Sequence, residues 1–137
     1  MNVDIRALVL VHLTRFVGIY FLILYGRGEL PYAFVVPGGL GDIAVAVTAL
    51  LVALFSPIGG AVGWKIVLLW NLFGLIDILF VVATAARLTM SNPESMSAIT
   101  RLPLSLLPTF LVPIIIFTHV VIFIRLFESR KENNRDF

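Results

Sequence analysis

Five ionisable residues stand inside stretches that otherwise read as membrane-spanning helices: His12, Arg15, Asp42, Asp77 and His119. A lone Arg or Asp at mid-bilayer costs roughly 2.5–3.5 kcal/mol on insertion scales. A chain that keeps such groups is expected to pair them inside a bundle and to use them. Arg15, Asp42 and Asp77 could form a proton- or ligand-binding cluster. Two unpaired carboxylates would be costly in hydrocarbon, and Arg15 is the simplest partner for them. His12 and His119 could ligate one haem b, because a haem held in a bundle core takes axial imidazoles from facing helices. Arg6, Lys65 or Arg125 would then receive the propionates. The plainer expectation is that the histidines bond to backbone or to each other. The matching one for the charges is a buried salt bridge that fixes helix register. No Ser-His-Asp arrangement, HExxH or phosphate loop is present, so hydrolytic chemistry finds no support.

The elements that must carry these residues follow from hydropathy. The chain has 137 residues, 60% hydrophobic and 13% charged. An ordinary soluble domain has about 45–50% apolar and about 25% charged residues. The formal net charge is +2, and no basic patch with interleaved aromatics occurs, which speaks against nucleic acid as a partner. There is no cysteine, which removes disulfides, thiol catalysis and thiolate metal sites. Arg6 before an apolar run resembles a signal peptide, but no small-x-small cleavage site follows, so the run reads as a retained first helix.

Four apolar runs are each long enough to span, since about 20 residues cross roughly 30 Å of hydrocarbon. They predict an all-α membrane protein, one domain over 1–137, with four transmembrane helices in an up-and-down bundle. Helix 1 is expected over about 5–25, helix 2 over 37–55, helix 3 over 64–86 and helix 4 over 103–126. Gly26-Arg27-Gly28-Glu29 and Pro31 close the first; Pro57, Gly59, Gly60 and Gly63 make the next turn; a charged tail occupies 127–137. The continuous runs lack the alternation of a β-barrel. Ser91 and Glu94 have capping-box spacing, with Pro93 in the first turn, and predict a short surface helix from Pro93 to Ile99. Gly39-Leu-Gly41-Asp42-Ile-Ala44 has the letters of a dinucleotide fingerprint without its strand or βαβ unit, and that reading is rejected.

Arg6, Lys65, Arg125, Arg130, Lys131 and Arg135 fall on one side of such a bundle; Arg27, Arg87 and Arg101 fall on the other. The bias predicts both termini in the cytoplasm, though its margin leaves an inverted or dual topology open. Trp64 near one end, and Tyr25 with Tyr32 at the other, fit interfacial belts.

A rise of about 1.5 Å per residue sorts the ionisable residues by depth. His12 and His119 share a layer roughly 10 Å from the cytoplasmic edge; Asp42 and Asp77 share one roughly 20 Å up, with Arg15 reaching toward them. Asn71 matches the histidine depth but lies off its helix's stripe of Trp70, Gly74, Asp77, Val81 and Thr84. Helix 2 offers a small-residue face of Gly39, Asp42, Ala46, Ala49 and Ala53, suited to close helix approach. Helix 4 carries a stripe of Thr109, Val112, Ile116, His119 and Phe123. Its Pro113 leaves the Thr109 carbonyl without a helical donor and favours a kink.

The stretches Leu30 to Asp42 (LPYAFVVPGGLGD), Trp70 to Asp77 (WNLFGLID) and Leu107 to Pro113 (LPTFLVP) through His119 resemble those of small uncharacterised bacterial inner-membrane proteins. That resemblance implies four-helix topology and brings no established activity. Arg15, Gly18 and Gly26 give a fainter likeness to DoxX-like membrane proteins. Small multidrug-resistance exporters are similar in size and helix count, but their hallmark Glu in helix 1 is missing, with His12 and Arg15 in that region instead. That departure puts cationic-drug export in doubt. The functional expectation is a polytopic protein of the bacterial inner membrane that binds a small ligand or cofactor in its core. Proton-coupled transport through Asp42 or Asp77, in a homo-oligomer, is the rival. A structural subunit of a membrane complex is the third reading.

Overall fold

A computed structural model describes residues 4–57 and 60–133, and the side chains of 132 and 133 are outside that description. The fold is an all-α bundle of four helices long and apolar enough to cross a membrane, and no strand forms among the described residues. Helix 1 covers Ile5–Gly26, helix 2 Tyr32–Phe55 and helix 3 Ala61–Ser91; helix 4 runs over Val112–Asn133 behind a π turn at Leu107–Leu111. Asp4 starts helix 1 by accepting the Arg6 amide at 3.0 Å.

The core falls into two apolar clusters. One joins Leu8 and Val9 to Ala49 and Val52, to Val67 and Trp70, and to Ile122 and Leu126. The other joins Phe21 and Leu24 to Phe34 and Val35, to Ile78 and Val81, and to Ile115. Each cluster takes the start of one helix and the end of the next, so neighbouring helices run antiparallel. Outward faces are apolar too: Leu54 is 61% exposed, Leu69 67% and Phe117 67%. Helices apolar all round suit a hydrocarbon surrounding better than water.

Several boundaries differ from the sequence expectation. Helix 2 starts five residues before Pro37, which sits inside it. The apolar residues 33–36 extend the helix, and one lost backbone bond at Pro37 is tolerable where packing supports it. Helix 3 extends on both sides of 64–86, to 31 residues, roughly 45 Å at 1.5 Å per residue. Helix 4 begins later than Pro103, with Pro108 in the first turn of the π segment that leads into it. It also runs on into the charged tail as far as Asn133, where Arg130 and Lys131 complement the carbonyl end. The surface helix expected over Pro93–Ile99 is a single 3-10 turn, Pro93–Met96, continued by turns. Its cap is Asn92 rather than Ser91, accepting the Ser95 amide at 3.4 Å. Gly59 of the expected interhelical turn, and residues 134–137 of the tail with Arg135, lie outside the described residues.

Candidate functional site

Between the two apolar clusters lies a polar layer. Arg15 and His12 reach it through a local departure from α geometry: His12–Phe16 is a 3-10 turn within helix 1. With three residues per turn, residues i and i+3 eclipse. Both side chains therefore point the same way, into the bundle, and both are fully buried.

Arg15 is held on all three nitrogens. Its Nε donates to Asp42 Oδ1 at 2.7 Å, its Nη1 to the Gly74 carbonyl at 2.9 Å, and its Nη2 to Asp77 Oδ2. Helices 2 and 3 are thereby tied to helix 1 by one guanidinium, whose planar fork suits several acceptors at once. The expected Arg15–Asp42–Asp77 cluster is present in the geometry. Asp42 is 3% exposed, whereas the Asp77 side chain is 13% exposed. Glycines make the approach possible. A Cβ on Gly41 would run into the Asp77 carboxylate, and one on Gly18 would strike the Gly39 carbonyl of helix 2. The small face of helix 2 is buried as expected: Gly39, Asp42, Ala46, Ala49 and Ala53 all lie inside.

The histidines also meet. Their ring centroids are 4.1 Å apart, and Trp70 packs edge-on to His12 at 5.1 Å. Rings in contact leave no slot for a macrocycle, so the arrangement does not fit haem b between His12 and His119. The hydrogen bonds assign the ring protons. Thr118 gives its hydroxyl proton to the Ile115 carbonyl at 2.8 Å, so across 3.3 Å the His12 Nε2–H must donate to Thr118. Asn71 Nδ2 donates to the His119 carbonyl at 3.0 Å, which turns Asn71 Oδ1 toward His119 Nδ1 at 2.7 Å. His119 therefore donates from Nδ1. His12 Nδ1, His119 Nε2 and Trp70 Nε1 are buried without a hydrogen-bond partner.

Depth arithmetic separates two layers that side-chain contact joins. A Cβ on Gly74 would lie 2.6 Å from His119 Cε1, while the Gly74 carbonyl holds Arg15. One glycine thus touches both groups. Asn71, left off the helix 3 stripe by spacing, is fully buried and is the main partner of His119. On helix 4 the buried face is Ile115, Thr118, His119, Ile122 and Leu126, so of the expected stripe only His119 is fully buried and Thr109 is exposed. The π turn at Leu107–Leu111 accounts for Thr109, because its wider turn breaks the α-helical spacing used to place that residue.

A cavity of about 650 Å³ opens from this layer. Arg15 and Asp42 lie on its wall, with Phe21, Phe34, Ile78, Val81, Leu111 and Ile115 as apolar lining, and it extends to Thr100 and Ser105. A ligand in the core near Arg15 and Asp42 is expected from sequence; the place of this cavity and its apolar lining are not, though the proline-rich approach to helix 4 supplies Leu107, Pro108 and Thr109 to it. A second cavity, of about 560 Å³, lies beyond the Pro93–Met96 turn beside Glu29, Glu94 and Arg101. Among the described residues no three His, Cys, Asp or Glu side chains gather to hold a metal ion.

No curated protein and no solved structure matches the chain. The family described as a domain of unknown function (DUF8737) matches residues 2–127, nearly the whole chain, and the protein belongs to that family.

Proposed function

We propose that this is a multi-pass protein of the bacterial inner membrane that binds a small, mostly apolar molecule by one polar end. The observation that carries the reading is the cavity of about 650 Å³ whose largely apolar wall includes Asp42, 3% exposed, with the fully buried Arg15 behind it. Ligand sites commonly have about 300–1,000 Å³, apolar linings and a few placed polar groups. Asp42 Oδ1 is taken by Arg15, while its other oxygen makes no hydrogen bond among the described residues. Apolar outer faces and the bias of Arg and Lys toward the ends of the chain support membrane insertion with both termini in the cytoplasm.

Proton-coupled transport is the second reading. It is favoured by one specific imbalance: two carboxylates, Asp42 and Asp77, share a single guanidinium. A proton taken up by either would restore neutrality. In the third reading, that of a structural subunit, the same cluster only locks the helices together.

Extraction separates binding from locking. Purified protein in mild detergent is extracted with organic solvent, and the extract is compared by mass spectrometry with that of Val81→Phe, which puts a ring on the cavity wall. A molecule present near stoichiometry in the wild type is expected to drop at least about tenfold in the variant. Identical extracts from both proteins would sink the reading.

A further inference from the structure

We infer that the cavity selects a lipophilic molecule carrying a single positive charge over one carrying a negative charge. The inference rests on the cavity being a ligand site, as proposed above, and adds the chemistry of the ligand.

The argument begins with the count of charges. Arg15 and Asp42 are the ionisable side chains on the cavity wall, and Asp77 is joined to them through Arg15. With both carboxylates ionised, one guanidinium leaves one negative charge in excess, which a bound cation can neutralise in place of a proton. Inside an apolar layer that excess is expensive, and a cation brought to it is correspondingly favoured.

Arg15 offers an anion little, because its charge is already matched by two carboxylates: three of its five N–H groups donate, to Asp42, to the Gly74 carbonyl and to Asp77. An anionic head approaching Arg15 would also meet Asp42. A cationic head meets the Asp42 oxygen that Arg15 leaves free.

The wall above the charges suits the same ligand. Phe21 and Phe34 both line the cavity, with ring centroids 5.4 Å apart and planes tilted by 57°. Aromatic faces attract cations and repel anions. A body of rings or alkyl chains would fill the space between Val81 and Ile115.

Tetraphenylphosphonium and tetraphenylborate, matched in shape and opposite in charge, provide the test. Equilibrium binding of each is measured on full-length protein in detergent, with Val81→Phe as the blank for micelle partition. The wild type is expected to bind the phosphonium at least about tenfold more tightly than the borate. Asp42→Asn and, independently, Asp77→Asn are each expected to lower phosphonium affinity about tenfold or more. Asn keeps the shape and still accepts from Arg15, and the second variant lies off the cavity wall in case the first fails to fold. Equal binding of the two ions, lost only in Val81→Phe, would overturn the charge preference and leave the cavity reading standing. Preference for the borate would overturn it in the same way. If neither ion binds while wild-type protein still yields an extractable molecule that Val81→Phe lacks, the charge preference alone falls. If neither ion binds and no such molecule is extracted, both readings fall.

Discussion

At the scale of single residues, Arg15 has the largest consequences. It is fully buried and meets acceptors on two other helices. A buried ion pair adds little net stability over an apolar replacement, but removing one partner strands the other. Here removal strands two carboxylates. Arg15→Leu is therefore expected to destabilise the bundle by about 3–5 kcal/mol. Arg15→Lys should lose less, since its ammonium restores the charge without spanning three acceptors. The measurement is the unfolding midpoint in mixed micelles, and an Arg15→Leu protein as stable as wild type would refute the register-locking role. The pairing itself was legible from sequence, because Arg, Asp and Asp recur at similar depths in adjacent helices. The contacts through Gly74 and Asn71 were not. They depend on rotation of helix 3 about its axis, which residue spacing fixes only to within the width of a face.

At the scale of elements, legibility divides along backbone regularity. Four helices could be read from apolar runs, because hydrophobicity over some twenty residues is a strong and redundant signal. What escaped were departures from α geometry. The 3-10 turn at His12–Phe16 aligns His12 with Arg15, and the π turn at Leu107–Leu111 upsets the expected stripe on helix 4. Both leave weak traces in sequence, since they are set by how neighbouring side chains pack. Pro113 is the exception, a visible cause. Its nitrogen carries no hydrogen to donate to the Thr109 carbonyl at the junction between the π turn and helix 4. Pro113→Ala restores the donor and should let regular α-helix propagate toward Leu107. That would move Leu107, Thr109 and Leu111, all part of the cavity lining. The expected outcome is a loss of bound molecule of about fivefold or more in the extraction assay, with the unfolding midpoint unchanged or raised. Unchanged occupancy would show that the π turn does not shape the cavity.

At the scale of the whole molecule, the antiparallel packing fixes relative directions but not which side faces the cytoplasm. Leu8 and Leu126 share one apolar cluster, so the start of helix 1 and the end of helix 4 lie at the same end of the bundle. Trp64 ties the start of helix 3 to that end by donating to the Leu126 carbonyl at 2.9 Å, and Arg130 sits 4.7 Å over its ring. The opposite end carries Tyr25 against Tyr32, 5.9 Å between centroids. Positive charge separates the two ends, with Arg6, Lys65, Arg125, Arg130 and Lys131 at the first and Arg27, Arg87 and Arg101 at the second. The positive-inside bias favours the more basic end for the cytoplasm. The chain has no cysteine, so one introduced thiol reports without background. Ser129 and Ser91 are exposed near opposite ends of the bundle. In intact cells, a membrane-impermeant maleimide is expected to label Ser91→Cys and to spare Ser129→Cys until the membrane is opened. The reverse pattern would place the termini outside and put the cavity, which reaches toward Thr100 and Ser105, closer to the cytoplasm than to the exterior. Equal labelling of both in intact cells would indicate molecules inserted in both directions, as an antiparallel homodimer requires.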